Sequence, residues 1–228
     1  MRKIIDIHAA YALALSLMMM LFIVAPTQAS EKVSPDLLRG RYFVVVWSYQ
    51  GPDDDLVHAH TFTSFYSGDD LARGVVKPST ISWLPATGSV QVLGSERGRN
   101  FSLDETLRMA CEARRKVQSW GPFEVTTELY QRAQQRIALL MSGTVRYSML
   151  NQDGINCIKA AGDITPEPFD TGILWGEAAS AAVVRHLSPY FVAGPVKASL
   201  PGTLVRSCSA TYAGGVSGLS MVGANTHD

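Results

Sequence analysis

The chain has 228 residues, of which 46% are hydrophobic, and its 20 basic and 20 acidic side chains cancel at neutral pH. This length supports one well-buried core. The absence of net charge gives no electrostatic attraction to nucleic acid or to anionic lipid surfaces, so we expect a globular protein without a nucleic-acid partner.

The segment 1–29 has the features of a secretory signal peptide. Arg2 and Lys3 make a positive start, an apolar stretch follows from about residue 9 to 25, and small residues precede the expected cleavage site after Ala29. The uninterrupted apolar stretch is shorter than the roughly 20 residues that a spanning helix needs. We therefore expect a periplasmic or secreted protein with no stable membrane span after cleavage, and an uncleaved anchor is the alternative.

The rest of the chain divides into a globular part, residues 30–192, and a tail, residues 193–228. No Pro- or Gly-rich linker interrupts residues 41–187, which indicates a single domain. The tail is rich in Gly, Ser and Ala and has few large side chains, so we expect it to be loose.

The first half of the globular part predicts β-strands. Residues 41–49 form a nearly continuous β-branched and aromatic run, which is typical of a central strand covered on both faces. Residues 58–66 alternate with period two and predict a second strand, with His58 and His60 on one face. A hairpin of residues 80–84 and 89–93 follows. Four successive strands with short connections indicate an antiparallel sheet.

The second half predicts helices. Ser102 and Glu105 form a capping box that opens a helix reaching about residue 119, and a turn follows at 120–122. Two further long helices are predicted at about residues 127–142 and 173–187, and a short strand at about residues 144–150. The chain is therefore expected to be an α+β protein, with an antiparallel sheet of four to five strands packed by three main helices.

Three cysteines, Cys111, Cys157 and Cys208, follow the signal segment. An odd number leaves at least one thiol unpaired in an oxidising compartment, and a disulfide between Cys111 and Cys208 is one open pairing. Cys157 follows Asn156, which is placed to cap a short helix. Unpaired N–H groups at a helix start would lower the thiol pKa and favour the nucleophilic thiolate. A buried structural cysteine is the alternative.

A strand histidine that faces the same cleft would serve Cys157 as a general base. His60 and His58 both qualify, because they share a predicted face, and the backbone N–H of Cys157 would help to hold an oxyanion. Hydrogen-bonded structural histidines are one alternative. A metal-binding module is another, since the His-x-His spacing on a strand aims both imidazoles the same way.

The order of these residues resembles the circularly permuted branch of the NlpC/P60 papain-like superfamily, which includes lecithin:retinol acyltransferase-like proteins and related bacterial amidases. The matching motifs are His60-Thr61-Phe62 and Asn156-Cys157. The resemblance implies a permuted papain-like fold in which Cys157 attacks an amide or ester carbonyl and His60 takes and returns the proton. It also implies a third polar residue on the strand after the histidine strand, where Ser82 is the best-placed candidate.

The implied function is thiol-dependent acyl transfer, of the amidase or peptidase type, on a small-molecule or peptide substrate such as a cell-wall peptide or an acyl lipid. No cofactor is expected. The short helix after Cys157, with Lys159 two positions beyond the thiol, departs from the family pattern. A non-catalytic periplasmic binding or interaction protein on the same fold is therefore an alternative, beside the His-x-His metal-binding module.

Overall fold

The computed structural model describes residues 34–192, except for residues 52, 54 and 173. The predicted signal segment, 1–29, and the predicted tail, 193–228, with Cys208, lie outside the described residues. None of the helices in the described part combines the length and the apolar character needed to cross a membrane.

The main sheet of the described region has four strands, all paired antiparallel. These strands are β1 (Tyr42–Gln50), β2 (His60–Ser67), β3 (Ser79–Ile81) and β6 (Lys116–Val125). Their order is β3-β2-β1-β6, so β1 lies between β2 and β6. Every residue of β1 after Tyr42 is buried. The prediction of a central strand covered on both faces is confirmed.

Three short strands form a second antiparallel sheet: β4 (Trp83–Pro85), β5 (Glu96–Asn100) and β7 (Arg146–Tyr147), in the order β4-β5-β7. The predicted hairpin is wrong, because residues 89–93 form no strand and β4 pairs with β5 instead. The Asn100 side chain stabilises this pairing: its amide donates to the Thr80 carbonyl at 2.7 Å and its oxygen accepts from the Ser82 N–H at 2.8 Å.

The described helices are α1 (Gly68–Ala72), α2 (Leu103–Glu112), α3 (Thr127–Met141), α4 (Cys157–Gly162) and α5 (Gly176–Leu187). The capping box at the start of α2 is confirmed, since the Ser102 hydroxyl accepts from the Glu105 N–H and the Glu105 carboxylate accepts from the Ser102 N–H. With helices beside antiparallel sheets, the α+β class is confirmed.

The predicted extension of α2 to residue 119 is wrong. The helix ends at Glu112, Arg114 takes a left-handed conformation with φ 52°, and the chain then runs along β1 as β6. The predicted turn at 120–122 lies inside β6, where the pairing register shifts opposite β1. Gly121 occupies this bulge with φ 105°, and a Cβ there would lie 2.8 Å from the Val44 carbonyl oxygen, so only glycine fits.

The period-two alternation of β1 and β2 divides the core into two layers. On one side of the sheet, Phe43, Val45 and Trp47 of β1 pack with apolar residues of α2. On the other side, Val44 and Val46 pack in a larger cluster that includes residues of α3, α4 and α5. The sheet thus lies between α2 and α4.

Candidate functional site

His60 is the first residue of β2 and is only 1% exposed. Its ring contacts the rings of Tyr49 and Phe62, with centroid separations of 5.0 and 5.2 Å. Its Nε2 lies 2.9 Å from the Ser82 hydroxyl oxygen. Its Nδ1 is also buried and has no hydrogen-bond partner within the part of the chain that the structure describes. The imidazole is therefore held at one nitrogen and unengaged at the other.

His58 does not belong to β2, so the predicted strand start at residue 58 is wrong. It lies in a 3-10 turn, Leu56–His58, and its side chain is 54% exposed. Asp55 organises this turn: its carboxylate accepts from the Val57 N–H at 2.7 Å and lies 2.8 Å from His58 Nδ1. His58 therefore does not share the buried position of His60, as the alternative general base would require.

The metal-binding hypothesis required the two imidazoles to point the same way, and this premise fails with the placement of His58. No group of three or more His, Cys, Asp or Glu side chains in residues 34–192 is arranged to hold a metal ion. The His-x-His spacing is therefore explained by a capped turn followed by a strand, without a ligand pair.

Cys157 begins α4, as predicted, and the cap by Asn156 is confirmed. The Asn156 side-chain oxygen accepts from the Lys159 N–H at 2.8 Å, and its amide donates to the Met149 carbonyl at 3.1 Å. The thiol is free and buried, whereas Cys111 is disulfide-bonded. Asn156 thus attaches the residue that carries the thiol to the preceding loop and to its own helix.

The first prediction concerns the removal of this cap. Asn156→Ala should lower the free energy of unfolding by about 1 kcal/mol, because the Lys159 N–H loses its acceptor. Urea denaturation measures this change. Thr126→Ala, which removes the cap of α3 at Leu129, is a matched control on a different helix. Both variants should lose similar stability, and only Asn156→Ala should alter the alkylation rate of Cys157. Equal alkylation rates would contradict a positioning role for the cap.

The pKa predicted for Cys157 is wrong in direction. Burial raises the pKa of the thiol to about 11, and the backbone N–H groups of Thr61, Ile158 and Cys157 itself act in the opposite direction without offsetting it. A six-residue helix is too short to outweigh desolvation. The contact with the Thr61 N–H nevertheless locates the sulfur, since Thr61 directly follows His60 in β2.

Burial also shifts the pKa of His60. It lowers the pKa of the imidazole to about 3, and the Arg115 guanidinium lowers it further in the same direction. The Arg115 guanidinium lies over the Tyr49 ring, 4.8 Å from its centre. At neutral pH the two candidate groups are therefore a neutral thiol and a neutral imidazole. A thiolate–imidazolium ion pair is not populated.

His60 and Cys157 line the same cavity, which has a volume of about 250 Å³. Its described lining is mostly apolar and contains no charged side chain. The lining residues are Leu56, Ala59, His60, Thr61, Tyr147, Met149, Leu150, Asn156, Cys157, Ile158, Gly172, Leu174, Trp175 and Gly176. Four of the large apolar residues are also between 39% and 48% exposed, namely Leu56, Leu150, Leu174 and Trp175. The cavity is thus open to solvent at an apolar rim.

Ser82 is the residue that the structure places against His60. It is fully buried and links β3 to β4, directly beside the histidine strand. The family resemblance pointed to it through this position alone. The sequence pattern missed two partners, Thr106 and Arg115. Thr106 lies four residues after the capping Ser102 on the buried face of α2, a spacing that could have indicated it; no pattern singles out Arg115.

A comparison with known proteins finds no matching family model, no matching curated protein and no matching solved structure. The relation to the permuted NlpC/P60 branch therefore stays a prediction. Cys157, His60 and Ser82, with the cavity that the first two line, are the basis for assigning a function.

Proposed function

We propose that the protein is an exported thiol-dependent acyl-transfer enzyme in which Cys157 is the nucleophile and His60 the general base. The observation that supports this proposal is the shared cavity: Cys157, whose thiol is free, and His60, whose ring has one nitrogen without a partner in the described region, are both lining residues. Ser82 contacts the other imidazole nitrogen, Nε2, and the proposal assigns proton transfer to Nδ1.

The neutral state of both groups determines the order of the proposed steps. The thiol proton passes to His60 Nδ1 while the sulfur forms a bond to the ester or amide carbonyl carbon, because the thiolate is not populated beforehand. The bond from this carbon to the leaving oxygen or nitrogen then breaks, and His60 returns the proton to the leaving group. Water adds to the thioester, the carboxylic acid leaves, and the sulfur regains a proton.

The lining of the cavity favours an acyl lipid over a cell-wall peptide as the substrate. A peptide carboxylate or ammonium group would enter the cavity without a side chain of opposite charge in the described lining, which is costly. An alkyl chain would instead bury apolar surface at a gain of about 0.8 kcal/mol per methylene. The apolar rim, with Leu174 and Trp175, fits the same kind of ligand.

A non-catalytic binding protein on the same fold is the second candidate. One observation favours it: the pKa of Cys157 is raised and that of His60 is lowered, so the resting site holds no activated nucleophile. The two candidates differ in one outcome, the formation of a thioester on Cys157. The features of the segment 1–29 support a periplasmic or secreted location in either case.

Acyl transfer to the thiol is tested with p-nitrophenyl esters of chain lengths from acetyl to dodecanoyl. The full chain is mixed with each ester, quenched in acid and mapped by peptide mass spectrometry. We expect the acyl mass on the peptide that contains Cys157, faster labelling with longer chains, and slower labelling when the chain ends in a carboxylate. Cys157→Ala is the control for acylation elsewhere. A folded protein that is not acylated at Cys157 by any ester would favour the binding protein.

A further inference from the structure

The residues that line the cavity fall into two groups by their exposure. One group, which we call the inner wall, is at most 9% exposed and consists of Ala59, His60, Thr61, Tyr147, Met149, Cys157, Ile158 and Gly176. The large apolar side chains of the other group, which we call the rim, are between 39% and 48% exposed and belong to Leu56, Leu150, Leu174 and Trp175. The candidate nucleophile and base therefore belong to the inner wall, and the rim lies where the cavity opens to solvent.

The size of the cavity limits how much of a lipid it can enclose. Its volume is about 250 Å³, which is less than the roughly 300–1,000 Å³ of pockets that enclose a drug-sized ligand. An acyl lipid whose carbonyl reaches Cys157 would fill the cavity and extend across the rim. The rest of the lipid would lie outside the mouth, where exposing alkyl surface to water is unfavourable in proportion to its area.

The rim gathers apolar side chains from three separate segments around one opening. Leu56 belongs to the 3-10 turn before β2, Leu150 follows β7, and Leu174 and Trp175 precede α5. Exposed apolar residues that are scattered singly need no partner, whereas a contiguous apolar patch marks an interaction surface. Tryptophan is enriched where protein meets lipid, because its ring is apolar and its N–H is polar. The rim therefore has the composition of a surface that contacts lipid.

The charges beside the rim indicate which kind of lipid surface it fits. Within three residues of the rim positions, the sequence has five acidic side chains and no lysine or arginine. Of these acidic groups, Asp55 pairs with His58 at 2.8 Å and Glu177 lies 3.7 Å from Lys116. The described parts of these segments thus contain no basic cluster of the kind that attracts an anionic lipid surface. A zwitterionic surface, which has no net charge, is the better match.

We propose that the rim docks the protein on a zwitterionic lipid surface, so that an acyl chain enters the cavity directly from that surface. This inference deepens the proposed function and rests on it for the use of Cys157, whereas the docking itself requires no reaction. Contact with the surface would cover both the rim and the part of the lipid that the cavity cannot enclose. Both apolar surfaces would then leave water together.

Docking is tested with the full chain and phosphatidylcholine vesicles whose acyl chains carry bromine, which quenches nearby tryptophan. Of the four tryptophans, Trp47 and Trp83 are fully buried, and none lies in the segment 1–29, so that segment cannot produce the signal. The difference between wild type and Trp175→Phe isolates the quenching of Trp175. We expect Trp175 to be quenched, and adding an anionic lipid to the vesicles should not increase the quenching.

Leu174→Glu should lower this quenching by about 10-fold at subsaturating lipid, because burial of one leucine side chain contributes about one order of magnitude to an equilibrium constant. Leu93→Glu is the matched control: Leu93 is 75% exposed and does not line the cavity, so its replacement should leave the quenching within about twofold. If Leu174→Glu does not fold, the quenching of Trp175 in the wild type still decides.

Three outcomes would overturn the proposal: a folded wild type in which Trp175 is not quenched, quenching that requires an anionic lipid, or equal losses in Leu174→Glu and Leu93→Glu. A dimer that analytical ultracentrifugation detects and that Leu174→Glu abolishes, without quenching of Trp175, would assign the rim to a second copy instead. Quenching together with a Cys157 that no ester acylates would support docking and contradict the proposed function. Acylation of Cys157 without quenching would do the reverse.

Discussion

Replacing His60 with Gln is expected to slow acylation of Cys157 by about 10²- to 10⁴-fold, the usual contribution of a general base. The glutamine amide offers Ser82 both a donor and an acceptor and approximates the shape of the ring, so the lost property is the ability to accept the thiol proton. The effect should be large because the pKa of Cys157, about 11, leaves almost no thiolate for attack at neutral pH without a base.

The matched control for this experiment is His58→Gln. His58 lies two residues away, is exposed and pairs with Asp55 outside the cavity, so its loss should leave the acylation rate within about twofold. Stopped-flow release of p-nitrophenolate measures both rates. A His60→Gln protein that is folded and acylated as fast as the wild type would remove His60 from the mechanism.

The second large effect is on stability in acid, because the titration of His60 makes the free energy of unfolding depend on pH. The pKa of His60 is about 3 in the folded protein and near 6.5 in the unfolded chain, so between these values only the unfolded chain binds the proton. The free energy of unfolding therefore falls as the pH decreases from 6.5 to 3, by about 1.4 kcal/mol per pH unit at most and about 5 kcal/mol in total from this group. His60→Gln should lack this contribution.

Urea denaturation at a series of pH values tests this linkage. The difference in unfolding free energy between wild type and His60→Gln isolates His60, because the carboxylates titrate alike in both proteins. This difference should change in favour of the variant as the pH falls below 6.5, while His58→Gln should follow the wild type. Parallel curves for wild type and His60→Gln would show that His60 titrates normally in the folded state.

The lowered pKa of His60 distinguishes this site from one with a preformed thiolate–imidazolium pair. A thiolate–imidazolium pair would lose activity as the pH falls through the ordinary range of a histidine. Here burial lowers the pKa of His60 to about 3, so this loss of activity in the ordinary histidine range is not expected. Reactivity thus depends on proton transfer during the attack. The rate would be highest for a substrate that excludes water from the cavity and places its carbonyl beside the sulfur.

Features that depend on neighbouring residues in the chain were predictable from the sequence. The apolar run of β1 predicts a strand buried on both faces, because only such a position covers side chains that point both ways. The capping box at Ser102 and the Asn156 cap before Cys157 were predictable for the same reason, since each is completed within three residues.

Features that depend on residues far away in the chain were not predictable from the sequence. Residues 116–119 were predicted to continue the helix and 120–122 to form a turn. The backbone groups of 116–125 instead pair with β1, and this pairing makes the segment a strand. The pairing of β4 with β5, rather than with residues 89–93, joins segments that the sequence pattern did not connect, and it brings the Asn100 side chain to the Ser82 N–H. Local propensities are weak compared with such tertiary contacts.

The candidate site shows the same division. The sequence alone determined that a strand histidine precedes a capped cysteine, and the family resemblance pointed to Ser82, which lies between β3 and β4. Only the tertiary structure decided that His58 turns outward while His60 is buried, and that Thr106 of α2 completes the contacts behind the ring. It also decided the ionisation of the site: desolvation depends on what the whole fold packs around a group, and at Cys157 it outweighs the helix start.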